Sequence, residues 1–448
     1  MSGAAAAPLL ERGLPLLDRI GSAARPGEVV LGWLRAESSD FVRFNHGRVR
    51  QAGSVERALL ELRLVRDARQ ATLQFVLSGH EATDADRLGA ALTELRGLLA
   101  DSQPDPWLAL CEQPREQITR LAPALPPREA LCDTVCAAAG DADLVGFYAG
   151  GALACGFASS LGHRLWHEAS PWFFDHSVQV GGDRAVKATL SWPAWDAQAL
   201  AAGIARSRRD AAILARPVRT LPPGGYRAWL SPTAMAELIG MLNWGGFSAA
   251  ALRSGHSPLT GLAEGGQRFS PMVSLADDLA AGGLPRFQSE GFARPDRLPL
   301  VQAGAWAGSL VSPRSAREFG LAGTGADAAE TAQALSLAGG DLPEADALRR
   351  LGTGLAVSNF WYLNWSDRAA ARITGMTRFA TLWVEDGEPV APVAVMRFDD
   401  SLYRLLGSEL EALSQVPARL PDTQTYDHRS FGLSLTPGAL VSRLSFTL

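Results

Sequence analysis

Cysteine is scarce in this chain of 448 residues: there are four, Cys111, Cys132, Cys136 and Cys155, and no Cys-x-x-Cys pair. That excludes a disulfide framework and fits a reducing compartment. Cys132 and Cys136 fall on one face of an expected helix, where small buried core residues are the plainer reading than redox or metal chemistry. No run of basic residues forms a block and the formal net charge is -5, so nothing marks nucleic acid as a direct partner. No stretch approaches the roughly 20 apolar residues that cross a bilayer. The opening Met1-Ser2-Gly3-Ala4-Ala5-Ala6-Ala7-Pro8 lacks the positive flank and long apolar region of a secretion signal. The expectation is a cytoplasmic protein without a membrane partner.

Familiar catalytic signatures are also missing. There is no Gly-x-Ser-x-Gly elbow, and Ser254-Gly255-His256-Ser257 lies in a loop without an orienting acid. Neither phosphate-cradling glycine pattern is present, so nucleotide binding has no support. The segment Ser231 to Trp244 has apolar residues at helical spacing, with Ser231 and Pro232 as cap and first-turn residue, and contains no histidine.

What is present reads as a folded α+β protein, since 47% of residues are hydrophobic and 20% charged. The length calls for two domains, 1–215 and 216–448, with the boundary in the proline- and glycine-rich stretch Arg216 to Gly225. The first is expected to be an α/β layer domain. It begins with a helix carrying Leu9, Leu10, Leu14, Leu17 and Ile20, then short strands Val29 to Ala36 and Phe41 to Phe44. The turn Asn45-His46-Gly47 leads to Val49 to Ala52, which makes His46 a turn-tip residue. Leu59 to Val65 and Ala71 to Val76 continue the sheet, and Thr83 to Leu99 is an amphipathic helix. After the joint Pro123 to Pro127 and a helix with Cys132 and Cys136, Leu144 to Trp192 reads as an antiparallel meander. Its punctuation is Gly150-Gly151, Leu161-Gly162 and Gly181-Gly182. The helix Asp196 to Leu214 carries Arg206, Arg208 and Arg209, expected as a solvated helix end rather than a phosphate site. The second domain is expected to be sheet-dominated, a curved or partly closed antiparallel array of short strands, with Gly323 to Arg350 as a loop and surface helix.

Two groups of residues stand out as candidate sites. His163, His167 and Glu168, with His176 nearby, have metal-ligating side chains. The alternation around them indicates a strand, however, and four residues along a strand span about 13 Å, too far for two nitrogens on one zinc. Surface histidines of a hairpin are therefore expected. The second group is the polar-aromatic stretch Asn359, Trp361, Asn364, Trp365, Asp367, followed by Arg372, Thr377 and Arg378. Aromatics supply rigid contact area while Asn and Arg supply directional hydrogen bonds, as a peptide- or partner-binding surface requires.

The second half also resembles the TldD/PmbA family, also called TldD/TldE and once described as modulators of DNA gyrase. The likeness rests on Gly255-His256-Ser257, Asp277-Asp278, Glu290-Gly291, Val301-Gln302-Ala303-Gly304 and Gly323-Thr324-Gly325. It continues through Gly354-Leu355-Ala356-Val357, Ile373-Thr374-Gly375 and Glu385-Asp386-Gly387-Glu388-Pro389-Val390. The order of these short motifs over residues 220 to 400 carries more weight than any one of them, with weaker support from Asn45 to Arg48 and Ser159 to Gly162. The resemblance implies a cytoplasmic pair of related subunits forming a peptidase for unfolded or leader peptides. In that family the TldD-type subunit holds zinc through a His-Glu-x-x-x-His helix and a cysteine on a later strand. Here the helix after Gly224-Gly225-Tyr226 lacks histidine and all four cysteines precede residue 156. The chain therefore resembles the TldE (PmbA) type, with no catalytic residue carried over and no zinc of its own, the zinc being expected in a TldD-like partner. The expected function is a metal-free subunit that holds an extended peptide by strand addition. Two readings compete with it: an active metallopeptidase with an unorthodox site at His163, His167 and Glu168, and a stand-alone peptide- or protein-binding module, such as a toxin-antitoxin-type partner.

Overall fold

The computed structural model describes residues 9–122 and 124–447; the opening segment Met1 to Pro8 and Pro123 of the proline-rich joint lie outside the described residues. Residues up to Leu190 build one eight-stranded sheet, and residues from Gly224 onward build two further sheets of six and seven strands.

The first sheet is framed by long strands. Val29–Asn45 is a single 17-residue strand and Arg48–Arg66 a single 19-residue strand, where the sequence reading expected shorter pieces. Polar residues Glu37 to Asp40 do not interrupt the first, because it is paired on both sides, with Arg48–Arg66 and with Leu144–Ser159. His46 and Gly47 form the tip between them, both with positive φ, as a tight hairpin turn requires. Leu144–Ser159 pairs through its second half with His163–Ala169 and through its first half with Trp172–Gly181. Gly150-Gly151 is thus not a turn but the point where the strand changes partners. Side-chain alternation separates two faces: Val30, Leu34 and Val42 pack under the helices Leu9–Gly21, Glu81–Asp101, Arg128–Ala139 and Ala197–Leu214. Leu31, Cys155, Phe157 and Leu165 on the opposite face pack on Phe287, with Trp33 and Phe431 alongside, so this face holds the second half of the chain.

Five strands of the seven-stranded sheet close into a ring, with Glu388–Pro392 and Leu410–Leu413 attached outside it. Gly354–Asp367, Gly224–Leu230, Ala439–Phe446, Arg397–Ser401 and Arg372–Glu385 follow in order, and the first and last pair with each other. A ring of strands has no free edge, which accounts for the curved, partly closed array expected from the sequence. Strand pairing is mostly antiparallel, with parallel exceptions at Leu355↔Ala228, Ala334↔Leu433 and, in the first sheet, Glu116↔Arg164. The helix Pro232–Leu242 starts where Ser231 accepts the Ala234 N–H, and its Met235, Leu238, Ile239 and Leu242 share a core with Leu230, Val357, Phe360 and Phe398. The acidic segment 323–350 departs from expectation: Ala334–Leu337 is a buried strand inside the six-stranded sheet, and the short helix Ala347–Leu351 buries Ala347 and Leu351. Its alternating small and apolar residues fill an interior position that local charge statistics obscure.

Among the described residues no helix is long and apolar enough to cross a membrane. The four cysteines are free, with Cys155 buried.

Candidate functional site

The hairpin formed by Gly354–Asp367 and Arg372–Glu385 carries the residues singled out in the sequence, and its register shifts at three places. Each shift adds a residue on one strand and re-aims the side chains beside it. Trp361 and Tyr362 are left 50% and 73% exposed. Asn359, Trp361 and Arg378 come together on the wall of a cleft of about 740 Å³. Asn364, Trp365, Asp367, Arg372 and Thr377 take other positions. Asn364 accepts the Trp365 N–H, Asp367 accepts the Ala370 N–H in the hairpin turn, and Arg372 pairs with Asp399. Thr377 is buried and its hydroxyl accepts the Met396 N–H. Trp365 packs against the barrel core beneath the Arg368 guanidinium.

The cleft is completed by residues distant in sequence. Thr233, Ala236 and Glu237 come from the helix Pro232–Leu242, Lys187 and Thr189 from the strand Arg184–Leu190, and Leu420 to Thr423 and Ser434 from the six-stranded sheet and the loop leaving it. Among the described residues both flanking strands have one unpaired edge: Arg184–Leu190 pairs only with Trp172–Gly181, and Ala418–Pro421 only with Leu433–Thr436.

Glu237 is the one acidic residue of its helix. Its carboxylate accepts the Phe360 backbone N–H at 2.5 Å and the Asn359 side-chain N–H at 3.4 Å. Loss of surrounding water pushes its pKa up to about 7, against the Phe360 and Asn359 hydrogen bonds and the Lys187 charge, which pull it down. The Asn359 amide nitrogen is directed at Glu237, which leaves its Oδ1 buried without a partner. Lys187, the only lysine in the chain, lies 3.3 Å from Asp175. Arg378 stacks 5.3 Å from the ring centres of both Trp361 and Phe379. Sequence reasoning missed Glu237, Lys187 and Asp422; a lone carboxylate on an otherwise apolar helix and a lone lysine among 42 basic residues were the available signals.

The histidines are placed otherwise than expected. His163 and His167 do lie on a strand, His163–Ala169, but they and His176 are buried rather than superficial. His163 meets Ser159 Oγ at 2.7 Å, His167 the Gly283 carbonyl at 3.1 Å, and His176 Ser207 Oγ at 3.0 Å. Burial holds the pKa of His167 and His176 down to about 4 and lowers that of His163. Glu168 pairs with Arg120. Among the described residues no three His, Cys, Asp or Glu side chains are grouped to hold a metal. The arginine cluster is not at a helix end as expected: Arg206, Arg208 and Arg209 lie within the helix Ala197–Leu214, whose last turn carries no basic residue, and Arg206 pairs with Glu344 and Arg208 with Asp141. Ser257 donates to the Gly246 carbonyl, and His256 meets only Ser254, which is an arrangement of loop-closing bonds.

With a partly closed barrel packed against one helix, the fold is that of an α+β protein with its cleft at the helix. The chain belongs to the PmbA/TldD metallopeptidase family: the family model for the PmbA/TldA metallopeptidase C-terminal domain matches residues 223–447. Its structure is similar to that of TldE from Thermococcus kodakarensis, with a TM-score of 0.78 at 14% identity, covering 98% of this chain and 100% of that one. It is also similar to a candidate modulator of a DNA gyrase from Thermotoga maritima, with a TM-score of 0.73 at 17% identity, covering 98% and 100% of the two chains. A candidate modulator of DNA gyrase from Bacteroides thetaiotaomicron gives 0.71 at 16% identity, covering 98% of each. No curated protein matches this sequence significantly.

The family implies zinc, and the cleft residues do not fit it. Glu237 and Asp422 are its only carboxylates, it contains no histidine or cysteine, and zinc sites draw on those donors.

Proposed function

We propose that this chain is the metal-free, TldE-type subunit of a TldD/TldE-type metallopeptidase complex acting in peptide proteolysis in the cytoplasm. A TldD-like partner supplies the zinc, and this chain holds an extended peptide in the cleft beside Glu237. The observation that carries the reading is the helix Pro232–Leu242, which faces the cleft with Thr233, Ala236 and Glu237 and offers no histidine. The unpaired edges of Arg184–Leu190 and Ala418–Pro421 favour strand addition as the mode of holding. Of the hairpin residues, Asn359, Trp361 and Arg378 form the contact for peptide or partner from the cleft wall, and Asn364, Trp365, Asp367 and Arg372 support it from the rest of the hairpin; Thr377, 1% exposed, is excluded from that contact. Residues 1–215 and 216–448 act as its two domains.

The test is elemental mass spectrometry of the isolated chain and of its co-purified complex with a TldD-like protein. Substoichiometric zinc in the isolated chain, with peptidase activity and about one zinc per pair in the complex, supports the proposal. One tightly held zinc per isolated chain, or no association with the partner, overturns it.

A further inference from the structure

Two cations converge in the cleft. Lys187 Nζ lies 6.0 Å and the Arg378 guanidinium carbon 5.3 Å from the centre of the same Phe379 ring. Phe379 adopts φ +58, an uncommon backbone state for a bulky residue that surrounding structure must hold in place. Lys187 is balanced by Asp175. Among the described residues Arg378 makes no ion pair, so its guanidinium lines the cleft without a bonded carboxylate, although Glu237 and Asp422 line the same cleft.

Beside them is an unmatched acceptor. Asn359 is 4% exposed, and its Oδ1 has no hydrogen-bond partner. Leaving such an atom buried and unpaired is costly, which marks it as waiting for a donor. Asn359 is the register partner of Arg378 on the hairpin, and directly paired residues of an antiparallel ladder project from the same face. Asn359 and Arg378 both line the cleft, so cationic donors and an unpartnered acceptor border the same space.

We propose that this cleft captures the free carboxyl terminus of an extended peptide, the carboxylate held by Arg378 and Lys187 and the last amide N–H donated to Asn359 Oδ1. A terminal residue presents these two groups within one residue of each other, which matches paired cations and acceptor better than an acidic side chain does. Glu237, which also lines the cleft, favours such a ligand because its raised pKa keeps part of the population uncharged near neutrality. The inference rests on the reading of the cleft as a peptide site and names the peptide end that it takes.

The uniqueness of Lys187 gives a direct readout. N-acetylated alanine tetrapeptides, which carry no amine, are titrated into the full-length chain in three forms: free acid, carboxamide, and carboxamide with a glutamate replacing the last alanine. Affinity is read by calorimetry, and protection of Lys187 from an amine-reactive reagent is read by mass spectrometry. The expected result is free-acid binding about tenfold or more tighter than either amide, as loss of a charge-assisted hydrogen bond implies, with Lys187 protected by the free acid alone. Arg378→Gln and, separately, Lys187→Gln reduce that preference while circular dichroism stays unchanged. Equal binding of acid and amide overturns carboxylate capture while leaving a peptide cleft in place. Preference for the glutamyl amide assigns the site to acidic side chains and also overturns the proposal. No binding of any peptide overturns it together with the peptide-cleft reading, whereas the subunit assignment is judged by its zinc and partner assay.

Discussion

The carboxylate of Glu237 accepts the backbone N–H of Phe360 at 2.5 Å, tying the helix Pro232–Leu242 to the hairpin that forms the cleft wall. This bond is made by a group that titrates near neutrality. The unfolded chain ionises the carboxyl near 4.5 and the folded chain near 7, so between those values the folded state binds more protons and stability falls as the pH rises.

Glu237→Gln keeps an acceptor for Phe360 but removes the titration. Relative to the unsubstituted protein, it is expected to be more stable at pH 8 by on the order of 2–3 kcal/mol, with the gain vanishing near pH 4.5. Urea denaturation at the two pH values measures the difference, and a gain independent of pH would show that the burial of Glu237 is not the cause.

The buried histidines act in the opposite direction. His167 and His176 have folded values of about 4 against 6.5 when unfolded, so the unfolded chain takes up protons first and stability falls as the pH drops from 6.5 towards 4. Each contributes up to about 3 kcal/mol, and two outweigh the gain from protonating Glu237. Net acid destabilisation is expected across that window, and His176→Gln, which retains a partner for Ser207, is expected to flatten the profile. Denaturation midpoints at pH 7, 5.5 and 4.5 test this.

Gly151 lies where Leu144–Ser159 changes partners, at φ +149, and an added Cβ would stand 2.3 Å from the Ser38 carbonyl oxygen. Because the clash is with the backbone of a central strand, Gly151→Ala is expected to cost about 3 kcal/mol or more. Gly97, in the helix Glu81–Asp101 with nothing within 4 Å of an added Cβ, provides the contrast. Gly97→Ala is expected to stabilise by about 0.5–1 kcal/mol, and thermal melts of the two variants should move in opposite directions.

Arg429 joins the halves of the chain. Its guanidinium donates to Ser39 Oγ and the carbonyls of Gly151 and Pro171, and its backbone N–H donates to Glu37. Arg429→Ala keeps the backbone bond to Glu37 but strands the acceptors of Ser39, Gly151 and Pro171, and is expected to cost about 2–4 kcal/mol. Limited proteolysis should then cut within residues 422–432 faster than in the parent protein, and an unchanged digestion pattern would show that other contacts hold the halves together.

By itself the sequence determined the local elements and the family. Periodicity located the helices carrying Leu17, Leu92 and Leu200, the glycine after His46 marked a hairpin, Ser231 and Pro232 marked a helix start, and an ordered set of glycine motifs identified the relatives. These signals are local or linear, and a residue's own neighbours carry them. Only the tertiary structure decided that residues 29–45 run as one strand, since pairing on both sides overrides the polar Glu37 to Asp40. It turned Gly150-Gly151 from a turn into a branch, buried His163, His167 and His176, and threaded Ala334–Leu337 through the interior of a sheet. Of the hairpin residues, it brought Asn359, Trp361 and Arg378 to one cleft with Glu237 and Lys187, which are 50 residues apart in the chain. Such proximity depends on the closing of the barrel and the packing of two sheet edges against it, and those are long-range contacts that no window of sequence contains.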